Sequence, residues 1–254
     1  MPTKTDEARA LQQEYYHATA ADYDRQHLMD PEHEFAIAWL TGLLDHLAVD
    51  SVLDVGSGTG RLLRRLRQHK RFSGIRMLGI EPVAALREQA YRHGVRRDEL
   101  IEGDGTRLAF EDGAFDLVCA FGVLHHLPDP ARAVREMLRV ARHAIFISDS
   151  NIYAAGGRME RFAKQALRAL HLWRLAQFVK TRGKGYKISE GDGLWYPYSV
   201  YDNYAQIAQA CRCVHVLNTS EQGVQPFRSC AHVALFAGKT DLPLRPAPEA
   251  RGPA

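Results

Sequence analysis

Two adjacent histidines, His125 and His126, sit in the segment VLHHLPDP, just past a run of apolar residues. Imidazole titrates near neutrality, so a ring in that place suits removal of a proton from a hydroxyl or an amine. Of the two, His126 is the preferred base. The rival role for the pair is packing under the loop or binding backbone. Asp149, in the run HAIFISDSN, is a second acid that could orient a substrate. A different chemistry is written in VLDVGSGTGRLL, where Asp54 precedes Gly56, Ser57, Gly58 and Gly60. Glycines at alternate positions let a backbone pass very close to a ligand. A dinucleotide fingerprint requires G-x-G-x-x-G, with a third glycine that allows close helix packing. Here the spacing is G-x-G-x-G, and Arg61 stands where that third glycine belongs. The Asp54 carboxylate would repel a pyrophosphate and suits a ligand with a positive group.

A ligand carrying a sulfonium, an ammonium, a carboxylate, a ribose and an adenine, but no phosphate, meets these demands. S-adenosylmethionine is such a ligand. The helix that follows the glycines can turn its free amides toward the carboxylate. Glu81, in GIEP, lies roughly twenty residues further on, where an acid can accept both ribose hydroxyls. Asp104, in EGDGT, could accept from the adenine amino group, with Gly105 and Thr106 beside the ring. Methyl transfer from a sulfonium is an in-line displacement with a good leaving group, so the protein mainly positions the acceptor.

These residues need a scaffold that brings them to one edge. SVLDVG, RMLGIEP, LIEGDG, AFDLVCAFGVL and HAIFISDSN read as short apolar strands, as expected when both faces are buried. RLLRRLRQHK, VAALREQAYRHG and DPARAVREMLRVA read as helices between them, the last with Asp129 as cap and Pro130 in its first turn. Alternating strand and helix predicts an α/β, doubly wound parallel sheet. VHVLNTSE and AHVALFAGK predict a terminal strand pair. In such sheets ligands bind outside the carboxyl ends of the strands. The expected division is a helical entry segment at 1–50, a cofactor-binding core at 51–151, a basic amphipathic substrate lid at 152–199, the rest of the core at 200–240, and a Pro/Ala-rich disordered tail at 241–254.

VLDVGSGTGRLL, GIEP, EGDGTRLAFEDGAFDLVCAFGVLHHLPDP and AVREMLRV together resemble the class I S-adenosylmethionine-dependent methyltransferases, in particular the branch that holds the ubiquinone and menaquinone methyltransferases. The resemblance covers about residues 15–151 and the last two strands. It implies a Rossmann-like seven-stranded sheet with an antiparallel final hairpin. It also implies that Asp54, Gly56, Ser57, Gly58 and Gly60 form the cofactor loop, Glu81 and Pro82 the ribose site, and Asp104 and Gly105 the adenine site. Phe121 matches the position whose backbone holds the methionine end. Tyr23 or Tyr15, in an entry segment folded over the cofactor, could reach the carboxylate; packing is the alternative for Tyr15, Tyr16 and Tyr23. VARHAIF departs from the Lys-Pro-Gly-Gly turn that many relatives carry.

Residues 158–187 are the least family-like. Met159, Phe162, Leu167, Leu170 and Trp173 recur at helical spacing, and Arg161, Lys164, Arg168 and His171 mark another face. The simplest expectation is one long lid helix, apolar side down and basic side in water. The sharper readings are an anionic acceptor, such as a phosphate-bearing glycan or a lipid-linked substrate, or docking on an anionic membrane surface. Trp195, Tyr196, Tyr198, Tyr201 and Tyr204 follow, as a loop over a ring-shaped acceptor or as packing. The net charge of +3 over 254 residues is too mild to indicate nucleic acid. Four cysteines make no disulfide framework, and no His or Cys cluster in the sequence completes a metal site. The first residues lack the apolar core of a signal peptide, which leads to the expectation of a reduced, cytoplasmic protein. The expected activity is methyl transfer to a small molecule, first of all O-methylation, with an RNA methyltransferase and a non-catalytic cofactor binder as the rivals.

Overall fold

The structure is a computed structural model that describes residues 4–20, 31–189 and 192–245. Helix α1 spans Lys4–Thr19 and α2 Pro31–His46. The core then runs β1 (Ser51–Val55), α3 (Arg61–Arg67), β2 (Arg76–Ile80), α4 (Ala84–Arg92), β3 (Leu100–Ile101), β4 (Phe115–Phe121), α5 (Pro130–Val140) and β5 (Ala141–Ser150). After β5 come α6 (Arg158–Ala169), α7 (Trp173–Lys180) and a hairpin of β6 (Lys187–Ser189) and β7 (Gly193–Trp195). The chain closes with α8 (Tyr204–Ala210), β8 (Cys213–Asn218), α9 (Pro226–Ser229) and β9 (His232–Gly238).

One seven-stranded sheet has the order β3-β2-β1-β4-β5-β9-β8, with the two C-terminal strands antiparallel to the rest of their neighbours. This is the doubly wound α/β sheet with an antiparallel C-terminal hairpin that the alternation predicts. Each inner strand is buried on both faces. Val52, Leu117, Cys119 and Phe146 pack with α2 and α3 on one side, while Leu53, Val118, Ile145 and Ile147 pack with α5 on the other. Alternate residues of a strand must point to opposite faces, so two separate cores follow from near-continuous apolar runs. Asp129 accepts from the Arg132 N–H at 3.0 Å and caps α5 as expected.

Register places the strand ends together. Val55 pairs with Ile80 on one side and Ala120 on the other, and Phe121 pairs with Ser148. Gly56, Glu81 and Phe121 therefore emerge side by side at the carboxyl edge, with Asp149 one residue beyond.

Two expectations change. The long lid helix is two helices: the Leu172 N–H reaches the Leu167 carbonyl and the His171 N–H that of Arg168, with His171 in the left-handed region at φ 58°. That is a Schellman stop, with histidine where glycine is usual. The insertion also faces the other way. Lys164 donates to the Ala155 carbonyl, and the Arg168 guanidinium lies over the Tyr153 and Phe227 rings, while Phe162 is 71% exposed. Lys164 and Arg168 point in and Phe162 points out, whereas Trp173 is buried against Tyr153 as the expected apolar face requires. The start of the expected tail is tied down as well, since Ala48 donates to the Pro243 carbonyl and Arg245 to that of His46. No helix among the described residues is long and apolar enough to cross a membrane.

Candidate functional site

The glycine loop leaves β1 with Gly56, Gly58 and Gly60 at φ 71°, 56° and 75°. At Gly56 the left-handed backbone coincides with a close approach, since an added Cβ would lie 2.5 Å from the Val123 side chain. The Gly56 and Ser57 N–H groups both donate to the Ile80 carbonyl at 2.9 Å, pinning the loop to β2. Asp54 lies behind the loop, where its carboxylate accepts from the Ser57 hydroxyl at 2.6 Å. Burial pushes the Asp54 carboxyl up to about 6, against the Ser57 hydrogen bond and the Arg61 charge.

Glu81 sits at the end of β2, 5% exposed. One of its oxygens accepts from the Gly58 N–H at 3.0 Å and the other from Val83 N–H at 2.8 Å. Burial raises its carboxyl to about 7, outweighing those hydrogen bonds and Arg87, with the Asp54 charge adding to the rise. Asp104 accepts from the Thr106 N–H and hydroxyl through one oxygen, at 2.8 and 2.7 Å. An added Cβ on Gly105 would meet Val55 at 2.7 Å, so the ring site is kept narrow by glycine.

These groups share a cavity of about 480 Å³ whose wall includes Gly56, Gly58, Glu81, Pro82, Asp104, Gly105, Phe121 and His126. That volume suits a cofactor-sized ligand with room for part of an acceptor. Asp54, Ser57 and Gly60 support the loop from behind and are not in the wall; nor are His125, Asp149 and Tyr15. Tyr23 lies outside the described residues. Sequence reasoning missed Gln12, Val83, Leu86 and Leu127 as wall residues, and left Tyr16 between ligand and packing roles. Of the later aromatics only Tyr196 reaches the wall; Tyr198 is buried and donates to Asn203 at 2.9 Å.

The histidine pair divides by environment. The His125 Nδ1 meets an Asp149 oxygen at 2.7 Å and its Nε2 lies 3.3 Å from Asp192. Burial opposes its charge, but Asp149 and then Asp192 outweigh burial and hold His125 up at about 10. Asp149 is buried too, yet the His125 charge and hydrogen bond bring it down to about 2. It also accepts from the Leu124 and Ser150 N–H groups, which fixes the turn carrying both histidines. His126 moves the other way: burial and the neighbouring His125 charge hold it below its usual range, against the pull of Asp192. Its Nδ1 lies 2.7 Å from the Leu194 carbonyl, a contact that a proton on that nitrogen satisfies, and 3.2 Å from the Gln12 amide nitrogen. Its Nε2 lies 2.8 Å from the Tyr16 hydroxyl and 3.4 Å from an Asp192 oxygen. Asp192, which the sequence reading did not single out, completes a set with both rings whose ligand atoms lie within 4.8 Å of one another. When protonated, the His125 ring faces both carboxylates, Asp149 through its Nδ1–H and Asp192 through its Nε2–H.

Residues 53–146 match the family model described as a methyltransferase domain. Those residues, less than half of the chain, are similar to methyltransferase domains. Among curated relatives, 27-O-demethylrifamycin SV methyltransferase of Amycolatopsis mediterranei is 32% identical over 108 residues, which is 41% of this chain and 39% of that protein. Ubiquinone biosynthesis O-methyltransferase of Sodalis glossinidius is 34% identical over 104 residues, 40% of this chain and 41% of that one. The matched region thus spans less than half the length of these curated relatives. An S-adenosylmethionine-dependent methyltransferase from Thermotoga maritima shares the fold with a TM-score of 0.58 at 15% identity, over 90% of this chain and all of that one. Magnesium protoporphyrin IX methyltransferase from Synechocystis, with S-adenosylhomocysteine bound, does so with a TM-score of 0.55 at 12% identity, over 92% of this chain and all of that one.

Proposed function

We propose that this protein transfers a methyl group from S-adenosylmethionine to a small-molecule acceptor, by O-methylation, with His126 as general base. The observation that carries the reading is the place of His126 in the wall of the cavity that Gly56, Gly58, Glu81 and Asp104 also line, where burial and the His125 charge disfavour its charged form.

The residues fit the cofactor. The wall is narrowed by glycines where a Cβ would collide. Arg61 adds a buried Nη1 with no hydrogen-bond partner at the start of α3, which the methionine carboxylate would satisfy. On this reading Glu81 accepts the ribose hydroxyls, Asp104 accepts from the adenine amino group, and Pro82 and Gly105 border the nucleoside. Phe121 and the loop from Gly56 to Gly60 hold the methionine end. Asp54 and Ser57 keep that loop in shape. When bound, the cofactor supplies a methyl on a sulfonium that departs as a neutral thioether. The chain's own part is to orient the acceptor oxygen and take its proton. That proton passes to His126 Nε2, directly or through the Tyr16 hydroxyl, as the oxygen lone pair forms the new bond to carbon. His125 and Asp149 are positioning residues, which hold the turn and keep the second ring uncharged.

The acceptor class that suits the basic insertion is anionic, glycan-linked or lipid-linked. The partners are then that acceptor and an anionic membrane surface reached through residues 158–187, in the cytoplasm. The curated relatives named for rifamycin and ubiquinone O-methylation support a small molecule over RNA. The test is transfer of labelled methyl from S-adenosylmethionine into cell extract with and without its RNA, with the product identified by mass spectrometry. An O-methylated small molecule is the expected result. Label found only in RNA, or no label despite S-adenosylhomocysteine binding, would overturn the reading in favour of the RNA enzyme or the binder.

A further inference from the structure

The insertion presents to water what a folded chain ordinarily hides. Eight of the fourteen large apolar side chains that are exposed among the described residues lie between Met159 and Ile188. Met159, Phe162 and Leu170 repeat along α6, and Leu175, Phe178 and Val179 along α7, each 60% exposed or more. Exposed apolar side chains stand on both sides of the Schellman turn, with Leu172 at the turn itself 45% exposed. No residue of α6 or α7 belongs to the wall of the cofactor cavity. An apolar patch of this extent on a folded surface marks something that covers it.

Charge says what kind of cover. Residues 158–188 hold nine of the 33 Lys and Arg and one of the 30 Asp and Glu; the remainder carries 24 against 29 and is net acidic. The single acid, Glu160, is already paired with Lys164 at 2.7 Å. Past α7 the chain makes a turn with Arg182, Gly183 and Gly185 all at positive φ. It bounds a second cleft, of about 420 Å³, lined by Lys180, Arg182, Lys184 and Lys187 with Tyr186. None of these four cations has an ion pair among the described residues. Lys187 titrates below its usual range, from partial burial and then the charges of Lys180 and Lys164. Glu160 alone offsets part of this charge, so the crowded cations favour an anion from outside.

We infer that the exposed face of α6 and α7, with the basic cleft at 180–188, seats the protein on an anionic lipid bilayer, its apolar side chains entering the acyl boundary and its cations meeting the headgroup phosphates. The alternatives satisfy only half of the surface. Two copies packed face to face would cover the apolar stripe but oppose two strongly positive patches. A nucleic acid would neutralise the cations and leave the Phe, Leu and Met side chains in water. The seat is coupled to the catalytic end of the fold: Lys187 of β6 pairs with Trp195 of β7, Leu194 receives the His126 hydrogen bond, and Tyr196 lines the cofactor cavity. Docking would therefore set the hairpin that walls the cavity against the membrane. Docking itself stands without the methyl-transfer reading; a lipophilic acceptor entering from the bilayer rests on it.

Sedimentation with vesicles tests this. The full chain is mixed with phosphatidylcholine vesicles containing about a third phosphatidylglycerol, and with pure phosphatidylcholine vesicles. Each charge near such a surface adds about 1 kcal/mol, so the partition coefficient should be at least tenfold higher on the anionic vesicles. The double variant Phe162→Ser/Phe178→Ser and the double variant Lys180→Gln/Lys184→Gln should each lose about tenfold or more. Both alter exposed side chains, and S-adenosylhomocysteine calorimetry on each checks that the fold and the cofactor site are intact. Wild-type protein that stays in the supernatant with both vesicle types overturns the inference, as do variants that sediment like wild type. A dimer by light scattering without vesicle binding, or retention of homopolymer RNA without it, would also overturn it and assign the face to that partner.

Discussion

The carboxyl edge of the sheet and the insertion after β5 follow opposite rules. At the edge, buried acids are matched to donors: Glu81 to the Gly58 and Val83 amides, Asp54 to Ser57, Asp149 to His125 and two amides. Residue types there are forced by geometry, since a glycine, an acid and a histidine each do something no neighbour could. In the insertion the usual sorting is reversed, with Lys164 and Arg168 turned toward the body and Phe162 and Phe178 left in water. A region whose polar groups are satisfied inwardly is complete in itself; one that exposes its apolar side is shaped for contact. The cavity belongs to the first kind and the outward face to the second.

The comparison is most sharply broken at His126. His126→Gln should lower kcat by about a hundredfold to ten-thousandfold, the range for loss of a general base, with S-adenosylhomocysteine affinity unchanged by calorimetry. In the wild type the acid limb of kcat should lie below pH 6.5, because burial and His125 favour the neutral ring. A variant that keeps its rate would leave positioning as the site's whole contribution.

Next in size is Glu81→Ala, which removes an acceptor for two hydroxyls and should weaken S-adenosylhomocysteine by on the order of a hundredfold, at hydrogen bonds to a charged group. The same carboxylate sets a pH dependence. It must be ionised to accept both hydroxyls, and in the free protein it titrates at about 7. Affinity should then fall by up to about tenfold per pH unit below that point. The free protein's stability runs the other way. The folded chain holds this proton more tightly than the unfolded one, whose carboxyl titrates near 4.5, so stability declines as pH rises from 4.5 to 7. Thermal melts with and without ligand across that window would show both trends, and Glu81→Gln should flatten them.

Much of this was legible in the chain because it is local. Strand runs, the G-x-G-x-G loop and the acid after β2 each depend on a few consecutive residues, and the parallel register then aligns them without further information. What the sequence hid is what distant segments supply. Asp192 and Leu194 come from a hairpin beyond residue 186, and Gln12 and Tyr16 from the first helix, yet together they surround the two nitrogens of His126. The orientation of the insertion was also hidden. Periodicity marks two faces of a helix but does not say which one faces the body, and the aromatic rings of Tyr153 and Phe227 decided it by accepting a guanidinium.

The smallest expected effect tests that last point directly. In an ordinary amphipathic helix the apolar residue contributes more to stability than the cation. Here Arg168 lies 4.9 and 4.8 Å above the Tyr153 and Phe227 rings and donates to the Tyr201 carbonyl at 3.1 Å, so its methylenes and its charge both work inward. Arg168→Ala should cost about 1–2 kcal/mol, read as a shift in the denaturant midpoint at constant slope. Phe162→Ser, at an exposed site, should stay within about 0.5 kcal/mol of wild type. Neither change should move S-adenosylhomocysteine affinity, since neither residue belongs to the cavity wall. If the phenylalanine variant proved the less stable of the two, the apolar face would have to be packed rather than presented, and the contrast between the two regions would disappear.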